Sequence, residues 1–398
     1  SEPDDVTTAA AVASVETPST AEPATPSETA TDETEAPPSS AADPDTDTED
    51  DTTEDSTMPP VVGARVGLFR LGSEPYVAFK DDSAVWFYTK SGTLTRVDPG
   101  PFIRREGPVI VGDPVRVGPN PTAPLVLGDQ IWVPAREGGT ITVISKSTLR
   151  KLAVIEGLGE RLDTPLEVKD PVHGTQRVWV TARKDWRLTE IDPVTFEPLR
   201  EFTVAGYPLT PVYRQGFLFI VGREDGVLTK FDPISEERPT IPVSLESRPP
   251  IVVGDHIWIS DQSEGKIRII DPLRFEEVKA IEIGGALSAP VLVEDRVWVA
   301  TSRGSDEWCD KEASAAFVAL DTAGNVTGCV KTYHVTKHPV AHDRAFWAVS
   351  ETGAVVRVDP ERMEADSWRG VSGLGVPISA HGYLWIPDER GTTVTIYD

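Results

Sequence analysis

Short runs of Val, Ile and Leu alternate with turn residues along most of the chain, and the runs recur in a fixed order. Each unit opens with a residue followed by Pro and passes through an apolar stretch to an aromatic residue. It then breaks at a glycine-containing turn and usually closes on Asp-Pro. The prolines are Pro75, Pro124, Pro165, Pro211, Pro250, Pro290, Pro339 and Pro377, spaced 38 to 49 residues apart. The aromatics are Trp86, Trp132, Trp179, Phe219, Trp258, Trp298, Trp347 and Trp385.

The fifth unit, from Pro250 to Ile283, predicts four antiparallel strands, A to D. Strand A follows the proline, whose fixed φ and missing N–H suit a strand's first residue. Gly254-Asp255 makes the A–B turn, and Ile-Trp-Ile forms strand B. The Glu264-Gly265 turn leads into an alternating strand C, and Asp271-Pro272 opens the C–D turn. A forty-residue period written in strands predicts a β-propeller of eight four-stranded antiparallel blades. Seven blades would follow if the first or fourth unit were not a blade. The last unit stops at the end of strand C, and a strand-like run, residues 64–71, precedes the first proline. That run is expected to complete the last blade and hide its edge.

Carboxylates recur at Asp98, Asp192, Asp232, Asp271, Asp321 and Asp359. A chemical site needs one set of groups, whereas a turn needs one Asp per blade, so these residues read as turn formers. The tryptophans, set between Val and Ile, read as filling between blades. Irregularity is confined to loops: an A–B insertion around Asp170–Gly174, a B–C loop lengthened from Ser302 to Ala315, and a long connection after Asp98. Such loops on a rigid ring are where function collects.

Residues 1–60 are different material. They hold seventeen Asp and Glu, thirteen Thr, nine Pro and seven Ser, with no Lys, Arg or aromatic residue. This composition predicts a disordered, extended stalk, leaving 61–398 as the propeller. The stalk carries −17 of the formal −26, so the propeller carries −9. Nucleic acid is therefore not an expected partner. No run of eighteen apolar residues is present, so membrane attachment would need an anchor upstream of Ser1, and an export signal or anchor is expected there. Ser/Thr/Pro-rich stalks occur on secreted proteins, which favours an extracytoplasmic, secreted or cell-surface location. Cys309 and Cys329, the only cysteines, fall in the irregular sixth unit and are expected to form a disulfide. The turns they neighbour lie at opposite ends of strand C, so the long loop must fold back.

The channel mouth supplies the candidate ligand site: Glu74, Asp163, Arg248, Lys337 and His338 lie at or just before the strand A prolines. The B–C loops open on the same face and carry Lys90, Arg136, Arg183, Arg223, Arg303 and Arg390. Such a basic ring would suit an anionic glycan or an acidic protein surface, although Glu137, Asp185, Glu224, Asp306 and Glu389 accompany it. His334, His338 and His342 recur every four residues, but in a strand that separates neighbours by about 13 Å, too far for one metal. No metal site, catalytic triad, nucleophile elbow or phosphate loop is recognisable, and no cofactor is expected.

Ile267 to Pro272 and on through Ile283-Gly284, together with Leu127 to Val133, resemble YVTN-type and quinoprotein-like bacterial propeller repeats across residues 61–398. Members of that superfamily include quinone-dependent dehydrogenases, outer-membrane assembly scaffolds and surface proteins. The quinoprotein docking pattern has only a faint echo at Asp359 to Trp368, and no adjacent cysteine pair is present. The likeness to streptogramin lyases and lactonases would rest on His338 and Glu74. The resulting expectation is a non-catalytic extracytoplasmic propeller that binds a protein or envelope polysaccharide through its loop-rich face. The alternatives are a hydrolase or lyase at the channel mouth, around His338, Glu74 and Asp163, and a scaffold for envelope proteins.

Overall fold

The computed structural model describes residues 65–398, apart from 73, 101–106, 170–173, 303–308, 310–314, 333–335, 351–352, 370–374 and 389, and the side chains of 66, 336–338 and 369. The stalk of residues 1–60 lies outside the described residues. Eight four-stranded sheets follow one another, each ordered A-B-C-D from inside to outside. Blade five is built from Ile251–Val253, His256–Asp261, Lys266–Asp271 and Glu276–Glu282. Blade eight takes Ile378–Ala380, Tyr383–Pro387 and Thr393–Tyr397 from the C-terminal end, and its outer strand is Arg65–Arg70. Arg65 lies opposite Tyr397 and Arg70 opposite Thr393. The ladder thus covers an edge that would otherwise offer unpaired backbone groups to another chain.

The strand B tryptophans are the largest fully buried side chains among the described residues, and Phe219 takes their place in blade four. They fill the space between blades: Trp298 stacks on Phe346 at 5.6 Å, Trp347 meets Tyr397 at 6.1 Å, and Phe87 meets Trp385 at 6.2 Å across the closing seam. Removing one such ring would cost about 3–5 kcal/mol through lost burial and the cavity left behind.

The recurring aspartates are turn formers. Asp192, Asp232, Asp271, Asp321 and Asp359 each accept, at 2.7–3.0 Å, the N–H of the residue two positions on. Backbone N–H bonds, led by Arg274 at Asp271 and Arg362 at Asp359, hold these carboxyls below the usual range. In blade two, where Ser145 stands at this position, Asp129 reaches across to the Ser147 N–H instead. In blades two, three, four, five and seven the fifth residue of the turn closes a 2.9 Å bond to the first, as Phe196 N–H does to Asp192, whereas in blade six the fourth residue, Gly324, does so. Leu149, Phe196, Glu236, Phe275 and Met363 occupy this position with φ between 56° and 62°. Bulky residues rarely adopt that conformation. Here packing on the preceding blade offsets it: Phe196 meets Trp132 at 5.8 Å, and Phe275 meets Phe219 at 6.2 Å.

The same turns clasp one blade to the next. Side chains of one blade donate to turn carbonyls of its successor: Arg96 to Lys146, Gln130 to Pro193, Arg200 to Pro233, Lys230 to Leu273, Lys279 to Ala323 and Arg296 to Pro360. One turn therefore closes its own hairpin, plugs the preceding blade and accepts a bond from it.

Candidate functional site at the mouth of the ring

B–C loops and D–A connections gather on the face opposite the Asp-Pro turns. In blades two to six the D–A segment re-pairs with the end of strand B before the proline, through single bridges such as Leu162↔Ala182 and Ser247↔Asp261. Three positions per blade are thereby fixed: four and two residues before the proline, and four after the aromatic. They hold Asn120, Thr122 and Arg136 in blade two, Arg161, Asp163 and Arg183 in blade three, and Tyr207, Leu209 and Arg223 in blade four. Blade five has Glu246, Arg248 and Gln262, and blade six Ala286, Ser288 and Ser302. Regular backbone bonds hold this layer, including Arg136 N–H to Asn120, Arg183 N–H to Arg161 and Arg223 N–H to Tyr207. The Arg161 N–H donates to the Arg136 carbonyl of the blade before it, at 2.8 Å.

Side chains converge most in blade three. The Arg183 guanidinium makes a two-point contact with Asp163, Nε to Oδ2 at 3.0 Å and Nη2 to Oδ1 at 3.1 Å. Both side chains are 1% exposed. Arg183 also lies 5.4 Å from the Tyr207 ring centre, and the Tyr207 hydroxyl accepts from Arg161 Nη1 at 2.7 Å. Arg161 and Tyr207 sit in the left-handed region, at φ 58° and 53°. Beside them, the B–C loop carries Trp186, 48% exposed at φ 52°. Blades two, four and five put Gly139, Gly226 and Gly265 at that place, seven residues after the aromatic, with φ from 58° to 65°. A tryptophan in solvent, in a conformation the sister blades give to glycine, is a strained feature of the kind that gathers at functional sites.

The remaining sequence candidates separate. Lys90 extends the cationic arc into blade one, its Nζ 4.8 Å from the Tyr76 ring centre. Arg248 is buried at the position Asp163 holds in blade three. Glu74 is exposed and stands one residue before its proline rather than two, so extended backbone turns it away from that layer. Arg390 lies one residue out of step with Lys90, Arg136, Arg183 and Arg223, in a turn where its N–H bonds Asp388. Arg303 and the side chains of Lys337 and His338 lie outside the described residues. His342 is buried against Ser379, its Nδ1 3.0 Å from the hydroxyl, and burial pulls its pKa down. Among the described residues, no group of three or more His, Cys, Asp or Glu is placed to hold a metal.

Cys309 and Cys329 are bonded, with Cα atoms 5.7 Å apart. Cys329 follows the C–D turn, as the sequence reading has it, but the turn ends sooner than 325–328. Cys329 lies within strand D, Val326–Thr332, opposite Val318, part-way back toward the mouth, so the long B–C loop has less distance to cover.

No family model and no curated protein matches the chain. Solved structures do. The crystal structure of BamB from Moraxella catarrhalis matches with TM-score 0.63 at 14% identity, over 85% of this chain and 98% of that one. A computationally designed protein, Ika8, matches with TM-score 0.63 at 12% identity, over 82% and 96%. The dihydro-heme d1 dehydrogenase NirN, in complex with DHE, matches with TM-score 0.57 at 16% identity, over 77% of this chain and 68% of that one. These likenesses agree with the eight-bladed β-propeller fold described above. A designed protein fits as well as a natural one, so the likeness carries the fold and no activity.

Proposed function

We propose that this chain is a non-catalytic, extracytoplasmic binding propeller that takes a protein or an anionic envelope polysaccharide on its mouth face, centred on blade three. The observation that carries this reading is Trp186, an exposed aromatic where the fold calls for glycine, set beside Arg161, Arg183 and Tyr207. Tryptophan, tyrosine and arginine are the side chains that dominate binding hot spots, and here Trp186, Tyr207 and the part-exposed Arg161 supply them, with Arg183 buried beneath against Asp163. The competing hydrolase or lyase reading needs a free carboxylate at the mouth. Asp163 is instead buried in a two-point contact with Arg183, which suits structure better than proton transfer. The Cys309–Cys329 disulfide supports an oxidising compartment, and kinship with YVTN-type or quinoprotein-like repeats fits an envelope role.

Affinity capture from an envelope extract tests the reading, using immobilised wild type beside a Trp186→Gly variant. The variant restores the residue of the sister blades and should fold at least as well. A protein or polysaccharide held by wild type and lost by the variant is expected. Equal retention by both would remove blade three from the binding surface.

A further inference from the structure

The opposite face carries a second feature, independent of the mouth. Blades three, four and five close with Asp-Pro-Val-Thr-Phe-Glu (192–197), Asp-Pro-Ile-Ser-Glu-Glu (232–237) and Asp-Pro-Leu-Arg-Phe-Glu (271–276). The third residue of each is a large apolar side chain in solvent: Val194 at 81%, Ile234 at 61% and Leu273 at 65% exposure. The turn does not require this. In every such turn the third residue contributes its backbone N–H to a carboxylate, and Ser147, Ala323 and Glu361 do so equally well in blades two, six and seven. An apolar side chain there contributes nothing visible to the fold and costs solvation, yet three consecutive blades carry one. Leu199 and Val278, also exposed, follow on the strands leaving the first and third of these turns.

The surroundings specify a partner. The three hexapeptides carry seven carboxylates against one cation, Arg274, which itself pairs with Asp271 and Glu276. Neighbouring cations are engaged: Arg177 with Glu190 and Asp192, and Arg200 with Glu190 and Glu236. Gln130 donates to the Pro193 carbonyl, Arg200 to that of Pro233 and Lys230 to that of Leu273, so each tip is held by the blade before it. The arc is rigid and needs little ordering on binding.

We propose that the arc of Val194, Ile234 and Leu273 is a docking site for a partner protein segment that presents apolar side chains interleaved with Lys or Arg. Apolar anchors fill the gaps between tips, and the cations meet the acidic turns, which favours basic over acidic segments.

Fluorescence anisotropy with three labelled peptides tests this, using alternating Leu-Lys, Leu-Glu and Ser-Lys sequences titrated with protein up to about 1 mM. Leu-Lys binding to the wild type is expected. Binding should be at least tenfold weaker for Leu-Glu, for Ser-Lys, and for Leu-Lys on a Val194→Ser/Ile234→Ser/Leu273→Ser variant with an unchanged melting temperature. The substitutions copy what blade two already carries, so the variant should fold. Absence of Leu-Lys binding, equal binding of Ser-Lys, or an unaffected triple variant overturns the proposal. Wild-type self-association abolished in the triple variant would assign the arc to a second copy, and cosedimentation with phosphatidylcholine vesicles would assign it to lipid. Either result also overturns it.

Discussion

Breaking the buried pair in blade three is the sharpest test of how the mouth is held. Asp163 and Arg183 are each 1% exposed and joined at two points. Removing one partner takes the two-point contact away from a charge where water cannot reach it, a loss of about 3–5 kcal/mol. Blade four has Leu209 where blade three has Asp163, so Asp163→Leu introduces a side chain the layer already accommodates. Asp163→Leu and Arg183→Met should therefore each destabilise by about 4 kcal/mol, while the double variant loses under about 2 kcal/mol. With a urea slope of about 3 kcal/mol/M, each single variant should lower the midpoint by more than about 1 M. Coincident near- and far-ultraviolet melts would check that the ring unfolds as a unit. A coupling energy below about 0.5 kcal/mol, with the two losses simply adding, would refute the argument that the pair acts as a unit.

Four further outcomes follow from the geometry. Deleting residues 65–71 should uncover the Thr393–Tyr397 edge and produce concentration-dependent self-association in sedimentation, which adding the deleted peptide reverses. Trp132→Phe should cost more than Trp258→Phe, because Trp132 Nε1 donates to Gln130 at 2.9 Å whereas Trp258 Nε1 has no partner among the described residues; denaturation midpoints decide this. Reduction of Cys309–Cys329, which spans 20 residues, should lower stability by about 3 kcal/mol in wild type and leave a double-serine variant unchanged. Asp192, Asp271, Asp321 and Asp359 have pKa values lowered chiefly by backbone N–H bonds, so their stabilisation is full above the unfolded Asp value of about 3.9 and is lost as pH falls through the folded values. Urea midpoints should fall below about pH 4, and less steeply in Asp271→Asn.

The ring was legible because each of its devices recurs. One Asp-Pro or one buried tryptophan means little, whereas the same residue at the same offset in successive units can only be architectural. The mouth was legible only in part, because what matters there is what does not recur. Asp163 and Arg183 both stood out in the sequence, but their partnership spans a strand and becomes visible only when strand B returns beside the D–A segment. Counting from the aromatic rather than scanning loops for cations would have separated Lys90, Arg136, Arg183 and Arg223 from Arg303 and Arg390, which fall one residue later. Trp186 was hidden for the same reason. In isolation it is one more tryptophan; against Gly139, Gly226 and Gly265 it is an exception. The exposed apolar tips at Val194, Ile234 and Leu273 also sat in plain view, but turn chemistry accounts for their neighbours and says nothing about them.

Because Arg65 faces Tyr397 in the closing sheet, the polypeptide enters and leaves the wheel at adjacent points, on the side bearing the Asp-Pro turns. Tension between those two points would load the ladder one rung at a time, as a zipper is opened, rather than shearing all its bonds together. The closing sheet is thus the mechanical weak point of an otherwise evenly braced ring. A cargo fused after Asp398 would start beneath the acidic, apolar-tipped side and leave the arginine-bearing mouth unobstructed.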